Sequence, residues 1–82
     1  MKYLKMKFPE SFLWKIADRF RSGIPDIYIA SDKFSMWIEL KSLSGKLRPI
    51  QKYTILQLLA NGQKVYVIKS LEELKIILGE QT

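Results

Sequence analysis

Alternation of apolar and polar positions dominates the first half of the chain and helical spacing the second. Phe12, Trp14 and Ile16 alternate with Leu13, Lys15 and Ala17, which predicts a first strand. Asp18-Arg19-Phe20-Arg21-Ser22-Gly23 reads as a basic connection. Two apolar runs follow, Asp26–Ala30 and Met36–Lys41, separated by Ser31-Asp32-Lys33-Phe34, whose turn composition predicts a β-hairpin. Ser42–Arg48 is a polar loop containing Gly45. Pro49 suits the first turn of a helix that runs to about Asn61 and is terminated by Gly62. Thr54, Gln57 and Asn61 form its polar stripe, while Gln51 lies in line with Ile55 and Leu58 on the face expected to pack on the sheet. Lys64–Ile68 is a further strand, and Ser70 with Glu73 predicts a capping box for a last helix carrying Leu71, Leu74, Ile77 and Leu78 and ended by Gly79. Residues 1–8 are ambiguous between a helical turn and a frayed arm. The order strand, hairpin, helix, strand, helix predicts an α/β sandwich: a mixed four-stranded sheet flanked by helices. The step from Trp37 to Val67 is long enough for a parallel crossover.

The hairpin register brings charges together. With the turn centred on Asp32-Lys33, Ile29 faces Met36 and Asp26 falls opposite Glu39. Opposed side chains have Cβ atoms about 4.5–5.5 Å apart, and like charges so placed repel. Period two adds Lys41 to the face of Glu39. Two facing carboxylates beside an ammonium suit a divalent cation and a phosphate. Mg²⁺ takes oxygen ligands, commonly one or two carboxylates with water and substrate phosphate. Asp26 and Glu39 are the candidate carboxylate ligands, and the main-chain carbonyl of Leu40 is a candidate third. Lys41 would orient water and offset charge on the phosphorus. The plain alternative is a solvated sheet face with an ordinary Glu-Lys pair. Gln51, on the inner side of a helix's first turn, either caps a backbone group or reaches the end of the Glu39 strand.

Composition narrows the chemistry. Eighty-two residues make a single domain, 1–82, and so short a chain buries a modest share of its surface, so a homodimer is expected. There is no cysteine and no histidine, which removes disulfides, thiolate and imidazole metal sites and imidazole general bases, and fits a reducing cytoplasm. Fourteen Lys+Arg against eight Asp+Glu give +6, which points to a polyanionic partner. Arg19, Arg21, Lys46, Arg48 and Lys52 flank the candidate site, either as a phosphate-gripping rim or as solvated loop charges. Trp14 and Trp37 either stack bases or pack on a sheet face, with Tyr28 facing Trp37 across the hairpin. No apolar run approaches the roughly 20 residues that cross a bilayer, and residues 1–8 lack the apolar stretch of a signal peptide. A membrane partner is therefore not expected.

Gly23-Ile24-Pro25-Asp26, Trp37-Ile38-Glu39-Leu40-Lys41, Gly45-Lys46-Leu47-Arg48-Pro49-Ile50-Gln51 and Asn61-Gly62-Gln63-Lys64-Val65, in that order, resemble the VRR-NUC nucleases of the PD-(D/E)XK superfamily, most closely their small stand-alone phage-type members. The resemblance covers roughly residues 10–78. It implies a restriction-endonuclease-like fold and a Mg²⁺- or Mn²⁺-dependent DNA endonuclease of a bacterial or phage-infected cell. Asp26 and Glu39 would be ligands, Lys41 catalytic and Gln51 the helix residue of the site. Stand-alone members of that family are associated with homodimers acting on branched DNA such as Holliday junctions. The family also places an acid on a helix before the first strand. Here the only candidate is Glu10, beside Pro9, so either Glu10 stands in for it or the position is absent, which leaves a catalytically impaired DNA-binding module as the alternative function. A protein-interaction domain that binds no nucleic acid is a third.

Overall fold

The computed structural model describes residues 2–17 and 22–81. Helix α1 (Lys2–Lys7) leads into strand β1 (Phe12–Lys15), followed by β2 (Ile27–Ala30), β3 (Ser35–Leu40), helix α2 (Pro49–Ala60), β4 (Val65–Ile68) and helix α3 (Leu71–Gln81). The four strands form one sheet in the order β1-β2-β3-β4. The first three are antiparallel neighbours, and β4 joins β3 in parallel, with Trp37 beside Val65 and Glu39 beside Val67. This is the mixed sheet expected from the pattern, and α2 supplies the connection that a parallel pair requires.

The hairpin register is the expected one. Ile29 faces Met36 and Ile27 faces Ile38. Ser31 sets the turn: its N–H donates to the Phe34 carbonyl at 2.7 Å, and its hydroxyl accepts from the N–H groups of Lys33 and Phe34 at 3.2 Å each. Phe34 closes the turn but belongs to the core, meeting Phe8 edge to face with ring centroids 5.1 Å apart.

Alternation then sorts the sheet into two faces. Ile27, Ile29, Met36, Ile38 and Ile68 point to one side, where Leu4 of α1 and Leu74 and Leu78 of α3 complete the core. The start of the chain thus holds an anchored helix at Lys2–Lys7, because the buried Leu4 is the contact that stabilises so short a segment. The other face carries Trp14, Tyr28, Trp37, Val65 and Val67 and receives the half-buried Ile55 and Leu58 of α2.

Helix ends follow their local chemistry with two departures. Gly62, at φ +78, closes α2: its N–H donates to Leu59 and that of Gln63 to Leu58, the paired bonds that a left-handed residue allows. At the start of α3 the Ser70 hydroxyl accepts from Glu73 N–H at 3.2 Å, as expected. The Glu73 carboxylate, however, reaches one residue further back, to Lys69 N–H at 3.0 Å. Gly79 does not end α3, which continues to Gln81. A glycine inside a helix costs only about 1 kcal/mol relative to alanine, and the packing of Leu74 and Leu78 outweighs that. No helix among the described residues is long and apolar enough to cross a membrane.

Candidate metal-dependent site

The site is assembled where the segment before β2 meets the first turn of α2. Gly23 makes that approach available. It adopts φ +71, and a Cβ there would lie 2.5 Å from the Ile50 carbonyl oxygen. Any side chain would push the segment off the helix, and the left-handed conformation adds its own penalty. The Thr54 hydroxyl donates to the Ser22 carbonyl at 2.8 Å, tying the same two pieces together. Pro25 is fully buried behind them. Asp26, the next residue, thereby enters the sheet one position beyond the Ile27–Ile38 pair.

Three polar or charged side chains are buried among the described residues: Asp26 (5% exposed), Glu39 (0%) and Gln51 (1%). All three are candidates the sequence pointed to, and they converge. Asp26 stands one residue beyond the Ile27–Ile38 pair, which puts it opposite Glu39. Its carbonyl accepts from Ile16 N–H at 2.7 Å, and its carboxylate Oδ2 accepts from Leu40 N–H at 2.7 Å. The carboxylate is thus clamped to the backbone of the strand that carries Glu39. Glu39 Oε2 accepts from the Gln51 side-chain amide at 3.2 Å and lies 3.7 Å from the Lys41 ammonium, whose side chain is 17% exposed. A carboxylate removed from water costs several kcal/mol unless it is paired and hydrogen-bonded, and these two contacts, both made by Oε2, offset part of that cost.

Gln51 takes both of the roles open to it. Its side-chain oxygen accepts from Arg48 N–H at 2.8 Å, capping the start of α2, while its amide nitrogen donates to Glu39. One side chain therefore fixes the helix and orients the carboxylate. Lys41 N–H donates to the Ile68 carbonyl at 3.0 Å, on the β4 side, whereas Leu40 N–H points to the β2 side. Backbone groups of one strand residue leave by the same edge, so the Leu40 carbonyl opens towards the Asp26 end of β2, consistent with its candidacy as a ligand.

The remaining candidates are placed unequally. Arg48 occupies the N-cap position of α2 next to the site, Lys52 is exposed on its first turn, and Lys46 is exposed in the loop between β3 and α2. Arg19 and Arg21 lie outside the described residues. Glu10 is not brought to the cluster. It borders a cleft with Lys7, Phe8, Ser11, Ser31 and Asp32, at the turn end of the hairpin, whereas Asp26 is at the opposite end of β2. Four strand residues, about 13 Å of chain, separate the two ends. Helix α1 itself carries no acid.

The donor set that remains is two carboxylates with a backbone carbonyl nearby. It is an all-oxygen set, and oxygen is what Mg²⁺ and Mn²⁺ prefer. Among the described residues no group of three or more acidic, histidine or cysteine side chains clusters as a metal centre; further ligands to a hard cation held here would be water and substrate. Sequence reasoning missed the Leu40 N–H as the anchor of Asp26 and the role of Gly23 in the approach to α2. The glycine followed by Ile-Pro-Asp was the available signal. Compared with known proteins, the chain matches no family model and no curated sequence.

Proposed function

We propose that this chain is a metal-dependent DNA endonuclease with a restriction-endonuclease-like fold, acting on branched DNA such as four-way junctions. The observation that carries this reading is the convergence of Asp26, Glu39 and Gln51, the buried polar side chains among the described residues, with the Lys41 ammonium. A sheet that needed only packing would place apolar residues at these positions, because a buried charged pair is often no more stabilising than its apolar replacement. Asp26 and Glu39 would hold Mg²⁺ or Mn²⁺, with the Leu40 carbonyl completing the protein's share. Such a cation supplies Lewis-acid activation of the phosphate and of an attacking water. The chain's own groups do the rest. Leu40 N–H and the Gln51 amide fix the two carboxylates, so that little reorganisation is needed at the reacting centre. Lys41, partly exposed and beside Glu39, presents a positive charge to the phosphate oxygens and to the attacking water. Arg48, Lys46 and Lys52, with Arg19 and Arg21, supply the salt-sensitive grip on the DNA backbone.

The placement of Glu10 away from the cluster and the absence of acids in α1 favour a second reading, a nuclease-fold module that binds branched DNA with impaired turnover. One experiment separates the two. The chain is incubated with a four-way junction, a flap and a linear duplex, with and without Mn²⁺, beside Glu39→Gln. Metal-dependent cleavage of the branched substrates that is lost in Glu39→Gln supports the enzyme. Tight binding of junctions with no cleavage at any metal concentration selects the binding module, and neither binding nor cleavage rejects both.

A further inference from the structure

The sheet face that carries the site also carries a row of aromatic rings, exposed at Phe12 and Trp14 and half-buried at Tyr28 and Trp37, whose indole N–H donates to the Gln63 side-chain oxygen at 3.4 Å. Phe12 is 61% and Trp14 53% exposed, while the core side of the same short strand is closed by Leu13. Trp14 pairs directly with Tyr28, and Tyr28 with Trp37, so the rings cross three adjacent strands on one face. Phe12, Tyr28 and Trp37 touch in series, with Phe12 and Tyr28 centroids 6.4 Å apart and Tyr28 and Trp37 4.7 Å apart. Their position along the strands is the informative part. Tyr28 is two residues from Asp26, and Trp37 two residues from Glu39, about 6.6 Å in each case and on the same side of the sheet. A phosphate held at the carboxylates would therefore bring its neighbouring nucleotide over Tyr28, with Trp14 beside it.

We infer that this aromatic row is a stacking platform for unpaired bases next to the phosphate bound at Asp26 and Glu39, so that the substrate is DNA with a single-stranded stretch at the cut. The chemistry of the row favours this occupant. Its members are planar π-faces, which stack bases without regard to sequence. Exposed Lys64, whose carbonyl accepts Trp37 N–H, borders it at one side, and Lys41 lies beyond Glu39 on the same face, in a chain of net charge +6. An intact duplex keeps its bases stacked on each other and offers this surface only sugar and phosphate. The position of the cut rests on the nuclease reading; the stacking of single-stranded DNA does not.

Trp14 and Trp37 are the chain's two tryptophans, so intrinsic fluorescence reports on this surface. The full chain is titrated in EDTA with oligo(dT) and with a blunt duplex of equal length, and anisotropy of the labelled DNA is followed in parallel. Wild type, Trp14→Ala and Trp14→Phe are compared, each checked for unchanged melting, together with their masses by light scattering. Oligo(dT) is expected to quench the tryptophan emission and the duplex to leave it nearly unchanged. Trp14→Ala weakens oligo(dT) binding by about 5-fold to 140-fold, the range of one lost base stack, Trp14→Phe restores most of it, and duplex affinity stays the same. Absent quenching, or equal losses for both DNAs in Trp14→Ala, overturns the platform. A Trp14→Ala chain that binds oligo(dT) like wild type but has lost a dimeric mass also overturns it, and assigns the face to a second copy of the chain. Because no metal is present, a chain that stacks oligo(dT) but never cleaves keeps the platform and removes only the nuclease.

Discussion

Gln51→Ala is the perturbation whose cost can be worked most directly from the structure. Gln51 is 1% exposed and makes two hydrogen bonds through one amide, from Arg48 N–H at 2.8 Å and to Glu39 Oε2 at 3.2 Å. Losing the first uncaps one N–H of α2, which costs about 1 kcal/mol. Losing the second removes a donor to a fully buried carboxylate, and a hydrogen bond to a charged group contributes about 1.5–3 kcal/mol. The two share one side chain and so do not simply add, but together they predict a loss of about 3 kcal/mol. For a domain of this size that lowers Tm by roughly 12–24 °C. The measurement is thermal and urea denaturation followed by circular dichroism, with the urea m-value required to stay constant. Gln51→Glu isolates the second bond, since it keeps an acceptor for Arg48 N–H but sets a carboxylate against Glu39. It is expected to be at least as unstable as Gln51→Ala in EDTA and to recover part of its Tm in Mn²⁺, which two carboxylates can share. A Gln51→Ala chain within about 0.5 kcal/mol of wild type would refute the reasoning, because surface substitutions alone stay inside that range.

Other expectations follow from the same geometry. Lys41→Ala should abolish metal-dependent cleavage and, because the ammonium pairs with a buried carboxylate, also destabilise the fold by about 1–2 kcal/mol, between the values for exposed and buried pairs; activity assays beside urea melts read both, and unimpaired cleavage would make the lysine an ordinary surface charge. Gly23→Ala combines a left-handed backbone with a Cβ 2.5 Å from Ile50 O, so a loss of at least about 2 kcal/mol is expected in the same melts. Duplex affinity should fall with salt at a log–log slope of about 0.9 per phosphate contacted, and a flat salt response measured by anisotropy would remove the basic rim. Light scattering at micromolar concentration should give a dimeric mass, since α2 leaves Tyr53, Leu56 and Leu59 exposed; a strictly monomeric mass with junction cleavage intact would remove paired cutting by a twofold dimer.

The hairpin was legible in the sequence because its determinants are local. A turn centred on Asp32-Lys33 sets the β2–β3 register, period two sets the faces, and together they place Asp26 opposite Glu39. Helix α2 was legible for the same reason, with Pro49 at one end and Gly62 at the other. What the tertiary structure decided concerns groups whose partners are distant in sequence. Glu39 is sealed from water only once α2 folds back across β3, and Gln51 takes its double role only because its helix cap and that carboxylate meet there. Gly23 carries no periodic signal, and its necessity comes from a helix that begins 26 residues later. Alternation could not tell whether Trp14 was covered, since the pattern of β1 is the same with or without a helix over its outer face. Gly79 and Glu10 make the converse point. A local breaker was overridden by the packing of Leu74 and Leu78, and an acid in the expected stretch of chain was carried by the direction of β1 to the far end of the sheet.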